Sequence, residues 1–83
     1  MVRELLSEYD PELIIIDGYD SAILGVCERA GQQDSVLYSS SKIVQILIER
    51  DTMTEEDALE FLDFNIINAY MGEKTPTFLF MDD

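Results

Sequence analysis

Hydrophobic and polar residues follow two different periods along this chain, which predicts a mixture of helices and strands. Apolar residues three and four positions apart predict helices over residues 2–9, 42–50 and 54–70. Runs of β-branched and aromatic residues, bounded by Gly, Pro or Asp, predict strands over residues 13–16, 22–29, 35–38 and 77–81. The elements therefore follow the order α-β-β-β-α-α-β.

This order of elements predicts an α+β protein. Two or three helices pack on one face of a three- to four-stranded, mostly antiparallel sheet, because short loops join the first three predicted strands. The 83 residues predict one domain, residues 1–83, near the lower size limit for folding without disulfides or metals. Gly25, inside a predicted strand, indicates a bulge or the close approach of another element. Thr54 and the serines at 39–41 are the predicted helix caps.

The charge of the chain limits its partners. It has 18 acidic residues, 5 basic residues and no histidine, which gives a net charge of −13. A surface this negative repels nucleic-acid phosphates and anionic membranes, and it attracts basic grooves of other proteins. The side chain that titrates most readily near neutral pH is absent, as are a phosphate-binding loop, a zinc pattern and a nucleophile elbow. We expect a protein that is not an enzyme, has no cofactor and binds neither nucleic acid nor membranes.

The cysteine content and the first residues bear on where the protein works. Cys27 is the only cysteine, so it has no partner for an internal disulfide, which fits a reducing cytosol. The first residues lack the basic and apolar regions of a signal peptide, and no apolar run is long enough to cross a bilayer. These features predict a soluble protein of the cytoplasm.

Acidic residues are concentrated on one face of the last predicted helix. The candidate row consists of Glu56, Glu60 and Asp63, and the neighbouring Asp51, Glu55 and Asp57 support it. Carboxylates three and four residues apart on a helix are separated by about 5–6 Å, which is comparable with the phosphates along a DNA strand. The sequence has no basic residue from position 51 to 73. The row is either a protein-binding face or the solvated side of an amphipathic helix.

A second candidate site is the turn around Gly18. Asp17 and Asp20 flank this glycine, and two carboxylates three residues apart can bind a hard cation or another small ligand. A calcium loop needs further oxygen ligands, which do not follow here, and Asp and Gly are also the residues of an ordinary tight turn. Asn65 and Asn68 lie inside the last predicted helix, although Asn is a poor helix former. We therefore expect each side chain to form a local hydrogen bond, for example to a loop carbonyl or to a partner.

The last predicted strand is aromatic and offers a dimer surface. Phe78 and Phe80 lie on a strand that can pair with another copy at the edge of the sheet. A chain this small gains stability by burying such residues against a second copy. We therefore predict a homodimer at moderate salt.

Four segments of the sequence resemble a family of small acidic bacteriophage proteins. The segments are residues 17–26 (DGYDSAILGV), residues 53–61 (MTEEDALEF), Phe64-Asn65 and residues 72–76 (GEKTP). The resemblance covers residues 12 to 80 and implies a phage origin and residence in the cytoplasm of an infected bacterium. It carries no particular activity, although small acidic phage proteins are often inhibitors of host enzymes or defence systems.

Charge and resemblance together favour a non-enzymatic phage accessory protein. Its acidic face would bind a host protein with a basic groove and inhibit a host enzyme or defence system, in the extreme case as a DNA mimic. The alternative is an oligomeric domain of phage metabolism that binds a small ligand or a metal. The candidate ligands for that alternative are Asp17, Asp20, Asn65 and Asn68.

Overall fold

The computed structural model describes residues 2–28, 30–31, 33–69, 72 and 74–80. Its elements are α1 (Val2–Tyr9), a 3₁₀-helix (Asp20–Ala22), β1 (Ile23–Cys27), β2 (Ser35–Ser39), α2 (Ser40–Asp51), α3 (Glu55–Phe61), a π-helix (Leu62–Ile67) and β3 (Thr77–Leu79). This architecture confirms the predicted α+β class. Arg29, Tyr70 and Met81, which the predicted elements include, lie outside the described residues. Within this part of the chain, no helix combines the length and the apolarity needed to cross a bilayer.

The three strands form one mixed sheet in the order β1-β2-β3. β1 and β2 are an antiparallel hairpin, whereas β2 and β3 are parallel. Parallel neighbours need a long crossover connection, and here the chain between them contains α2, α3 and the π-helix. The sheet thus combines one pair of each kind, where the sequence predicted mostly antiparallel pairing.

Residues 13–16 belong to no strand, so the strand predicted there is wrong. Their side chains are half-buried, and Leu13, Ile15 and Ile16 pack against the core. The N–H of Ile16 donates to the hydroxyl of Tyr38 at 2.8 Å instead of to a neighbouring strand. The apolar run therefore covers the core as an irregular segment. Of the three predicted strands joined by short loops, only β1 and β2 pair, as a hairpin.

The core lies where α2 meets the sheet. Val36 and Tyr38 of β2 are fully buried, and so are Ile43 and Leu47 of α2. Alternate residues of a strand share one face, and residues four apart on a helix share one side. The two side chains of each pair therefore point in the same direction, toward the core. Burying one aliphatic side chain of this size contributes about 1.5–3 kcal/mol. This packing fixes α2 on the sheet, and α3 in turn packs against α2.

The register of the hairpin shifts near the start of β1. Ile23 pairs with Tyr38 and Gly25 pairs with Leu37, so Leu24 has no opposite residue. Gly25 has a φ of 155°, which residues with a side chain rarely adopt. The bulge predicted from this glycine is confirmed.

Hydroxyl side chains cap the two central helices, as predicted. Ser39 accepts a hydrogen bond from the N–H of Lys42 at 3.2 Å at the start of α2. Thr54 accepts one from the N–H of Asp57 at 3.1 Å at the start of α3. Between the helices, Thr52 ends α2 in the left-handed conformation, with a φ of 58°. Helix ends usually place Gly or Asn in this conformation.

The predicted helix over residues 54–70 is divided into α3 and the π-helix. Hydrogen bonds of the π-helix span five residues instead of four, which widens the turn. The buried residues Ala58, Leu62 and Ile66 are each four positions apart. In an α-helix of about 3.6 residues per turn, positions four apart drift round the axis. The wider π turn counteracts this drift and keeps the three side chains on the side of the core.

Candidate functional site

The predicted acidic row lies on the surface of the protein. The name acidic surface is used here for five exposed carboxylates, those of Glu55, Glu56, Asp57, Glu60 and Asp63. Three of them occupy the first turn of α3, where the positive end of the helix dipole stabilises negative charge. No ion pair joins any of the five to another residue within the described part of the chain. The negative charge of this surface therefore faces solvent without an ion-pair partner among the residues that the structure describes.

Asp51, which was expected to support the predicted row, has a different environment. It is the last residue of α2, and its Oδ1 lies 3.1 Å from Nε of Arg50. The guanidinium lowers the pKa of the Asp51 carboxyl through this hydrogen bond. Because its charge is compensated, Asp51 does not belong to the acidic surface.

An open groove borders the acidic surface. It has a volume of about 370 Å³ and is lined by Met53, Asp57, Glu60, Phe61, Phe64 and Asn65. All but the first follow one another at spacings of one, three or four residues, so they form a single stripe along α3 and the π-helix. Phe64 is 72% exposed, although burying its ring would be favourable. The groove thus combines apolar side chains with two carboxylates of the acidic surface.

The side chain of Asn68 closes the π-helix. Its Nδ2 donates to the carbonyl of Asp63 at 2.8 Å, and its backbone N–H donates to the same oxygen at 3.3 Å. This is a local bond to a carbonyl, one of the two reasons expected for an Asn inside the predicted helix. Both Asn side chains are exposed, but Asn65 lines the groove. Asn68 therefore has a structural role, while Asn65 belongs to the candidate site.

The turn between Asp17 and Asp20 is held by an arginine of α2. Nη1 of Arg50 donates to the carbonyl of Gly18 at 2.9 Å, and Nη2 donates to the hydroxyl of Tyr19 at 3.2 Å. The guanidinium carbon lies 5.0 Å from the centre of the Tyr19 ring, which is a cation–π contact. Among the described residues, no group of three or more Asp, Glu, Cys or His side chains is arranged to hold a metal. The contacts give this turn a structural role, since they attach it to α2.

The two phenylalanines of the predicted dimer surface have different environments. Phe78 is half-buried and stacks on Tyr38, with ring centres 6.0 Å apart and planes at 25°. Phe80 follows β3 and is 65% exposed, and Leu79 beside it is also exposed. β3 is an edge strand of the sheet. Among the described residues, Leu79 and Phe80 are the apolar ones that this edge offers to another molecule, whereas Phe78 belongs mainly to the core.

A second group of polar side chains, not predicted from the sequence, joins α1 to the hairpin. The hydroxyl of Tyr9 lies 2.8 Å from a carboxylate oxygen of Asp34 and 2.8 Å from one of Glu28. These hydrogen bonds raise the pKa of Tyr9, because a phenolate could not donate to either carboxylate. Lys74 pairs with Asp10 at 2.6 Å, which lowers the pKa of Asp10 and raises that of Lys74. The group fastens the end of α1 to later parts of the chain.

The apolar residues of the groove are absent from the sites predicted from the sequence. The apolar pattern of the predicted helix 54–70 indicates that Phe61 flanks its buried side. The same pattern assigns Met53 to the break between this helix and the preceding one. The sequence nevertheless contains a signal for this groove. Residues 57, 60, 61, 64 and 65 recur at helical spacing on one face, separate from the buried positions 58, 62 and 66. A face that is both apolar and acidic, and does not coincide with the buried face, indicates a surface for binding.

No family model, no curated protein and no solved structure matches this chain. The resemblance to small acidic phage proteins therefore depends on the sequence motifs alone, and the chemistry of the candidate site depends on its geometry.

Proposed function

We propose that this protein is a non-enzymatic binding protein whose acidic surface docks in a basic groove of another protein. The observation that carries the proposal is the set of exposed carboxylates on α3 and the π-helix without an ion-pair partner in the described part of the chain. Like charges this close destabilise the isolated protein. A partner that supplies Lys and Arg side chains relieves that repulsion and gains electrostatic attraction.

The distribution of basic residues supports an electrostatic mode of binding. The sequence has no Lys or Arg from residue 51 to 73, so α3 and the π-helix contain no basic residue that would offset the negative potential of this surface. Charges within the Debye length of about 8 Å at physiological salt act together on an approaching partner. Such a field steers association and accelerates it, mainly through the rate of encounter.

The proposed partner is a host protein that normally binds an anionic ligand. The resemblance to small acidic phage proteins supports a host as the source of the partner, and the charge supports a basic groove as the target. By filling that groove, the acidic surface excludes the natural ligand, which would inhibit a host enzyme or defence factor. Mimicry of DNA is the extreme form of this action, because carboxylates about 5–6 Å apart along a helix present regularly spaced negative charge.

The experiment that tests this proposal compares two charge variants in pull-downs from a bacterial lysate. One variant neutralises the acidic surface through Glu55→Gln, Glu56→Gln, Glu60→Gln and Asp63→Asn. The matched control neutralises four exposed carboxylates elsewhere, through Glu4→Gln, Glu8→Gln, Glu12→Gln and Glu49→Gln. Both variants lose the same number of charges. A difference in the protein that they capture therefore reports the position of the charges and not the net charge of the chain.

We expect the wild type and the control to capture the same basic protein, and the acidic-surface variant to lose it. The captured protein is then purified and its affinity measured at two salt concentrations. The affinity of the wild type should fall at least about tenfold as salt rises, since encounter is electrostatic. Equal capture by both variants would contradict the proposal.

A further inference from the structure

The groove beside the acidic surface contains apolar side chains that electrostatic docking does not need. Phe64 lies in it with 72% of its surface exposed, and Met53 and Phe61 line the same space. A large aromatic residue left in water loses the favourable free energy of burial. A surface that only imitated phosphates would have no use for these side chains, because phosphates are recognised by charge and hydrogen bonds.

We propose that the groove binds a basic amphipathic helix of the partner and receives a bulky apolar side chain from it. This inference rests on the proposed function and specifies the partner at the same surface. Asp57 and Glu60 line the groove together with the apolar residues. A Lys or Arg one turn from the inserted side chain would reach these carboxylates, while the inserted side chain covers Phe64.

The dimensions of the groove agree with a side chain of a helix as the occupant. Its volume of about 370 Å³ is near the lower end of the range of about 300–1,000 Å³ for ligand pockets. From Asp57 to Asn65 the lining stripe follows the axis of α3 and the π-helix for up to about 12 Å, the length that the α-helical rise of about 1.5 Å per residue would give. A partner helix lying along it would present side chains four residues apart, about 5–6 Å from each other. This is the helix-in-groove mode of recognition, here with a basic partner because the rim is acidic.

The test uses two synthetic peptides of about 18 residues, long enough to form helices. The first carries Leu at positions i, i+3, i+4 and i+7, with Lys elsewhere on its surface. The second has the same number of Lys residues but Gln in place of each Leu. Binding of each labelled peptide to the full chain is measured by fluorescence anisotropy at about 0.15 M salt.

We expect the Leu peptide to bind at least about tenfold more tightly than the Gln peptide, as a buried apolar anchor typically contributes. Phe64→Ala should remove this difference. Leu5→Ala, which truncates an apolar residue of α1 that is 66% exposed, is the matched control and should leave the difference unchanged. Amide chemical shifts of the wild type should change over residues 53–65 when the Leu peptide is added, a readout that requires no variant.

The outcomes distinguish this inference from the proposed function. If both peptides bind equally to the wild type but lose binding to the variant with the neutralised acidic surface, the groove has no apolar occupant and the inference is overturned, while the proposed function stands. If neutralisation has no effect on either peptide, the electrostatic proposal itself fails. Shift changes confined to residues outside 53–65 would also overturn the inference.

Discussion

The backbone N–H of Ile16 donates a hydrogen bond of 2.8 Å to the side-chain hydroxyl of Tyr38. Tyr38 is a fully buried residue of β2, and its ring stacks on Phe78 of β3. One side chain thus connects the irregular segment of residues 13–16 to the middle of the sheet and supports the neighbouring strand. The segment is held near the core without joining the sheet as a strand.

Replacing Tyr38 by Phe should therefore destabilise the protein while keeping its packing. The variant retains the ring but leaves the N–H of Ile16 without its acceptor, at a cost of about 1–3 kcal/mol. Urea unfolding measures the change in the free energy of unfolding. Hydrogen exchange of the Ile16 amide should accelerate in the variant, whereas Tyr9→Phe, at an exposed tyrosine, should leave that amide unchanged. Unaltered stability and exchange in Tyr38→Phe would show that this bond contributes nothing.

This bond also explains which part of the fold the sequence could not predict. Residues 13–16 have the β-branched composition of a buried strand, and composition does not distinguish a strand from an irregular segment that covers the same core. The caps at Ser39 and Thr54 and the bulge at Gly25 were predictable, because each depends on a few neighbouring residues. The partner of the Ile16 N–H lies 22 residues away and depends on the folded structure.

The candidate site was predictable in its charge but not in its shape. Glu56, Glu60 and Asp63 are exposed as the helical spacing implied. The π-helix, however, changes the direction of the residues that follow α3, and local propensity contains no strong signal for it. The spacing already places Phe64 on the side opposite the buried Leu62, where it is exposed. The way in which it combines with Met53 and Phe61 into a groove emerged only from the three-dimensional arrangement.

Thr52→Gly should stabilise the protein. Thr52 has a φ of 58°, and a residue with a Cβ in the left-handed region costs about 1–2 kcal/mol. Glycine removes that cost but adds entropy to the unfolded chain, about 0.5–1 kcal/mol, so a net gain of about 0.5–1 kcal/mol is expected. The matched control Thr54→Ala removes the cap of α3 and should instead lose about 1 kcal/mol. Thermal melts of the two variants should shift in opposite directions; a lower melting temperature for Thr52→Gly would refute the strain at this position.

The ion pair between Asp10 and Lys74 should make stability depend on acidic pH. Its hydrogen bond lowers the pKa of Asp10 in the folded state below the ordinary value of 3.8. The stabilisation is therefore fully present above that value, and it is lost as the pH falls through the lower pKa of the folded state. Asp10→Asn should lower the melting temperature at pH 7, and the difference from the wild type should shrink progressively below about pH 4. A difference that stays constant from pH 7 to pH 2 would exclude this ion pair as its cause.

Salt should stabilise the isolated protein, because its net charge of −13 is self-repulsive. The melting temperature should rise as sodium chloride increases from about 0.01 M to 1 M, where the Debye length falls from about 30 Å to about 3 Å. Glu56→Lys with Asp63→Lys should reduce this dependence, since both substitutions place cations in the acidic surface. Glu4→Lys with Glu8→Lys on α1 is the control with equal charge. The same reduction in both variants would mean that the repulsion belongs to the whole molecule and not to the acidic surface.

Self-association through the end of β3 is the remaining prediction, and the structure refines which residues would carry it. Leu79 and Phe80 are 42% and 65% exposed beside an edge strand, whereas Phe78 packs on Tyr38. Apolar burial at about 25 cal/mol per Å² over a few hundred Å² outweighs the repulsion between two acidic chains once salt screens it. We expect a homodimer at moderate salt that dissociates as the salt concentration falls.

Sedimentation at two ionic strengths measures this equilibrium. Phe80→Ser should give a monomer at both without a loss of stability, while Leu5→Ser, at an equally exposed site on α1, should still dimerise. Phe78→Ser should instead lower the free energy of unfolding, because it removes a ring that packs against the core. If the wild type is a monomer at high micromolar concentration in both buffers, Phe80 does not act as a dimer contact. In that case the exposed end of β3 is available to a different protein. Repeating the pull-down with Phe80→Ser in place of the charge variants would show whether capture of the partner depends on Phe80.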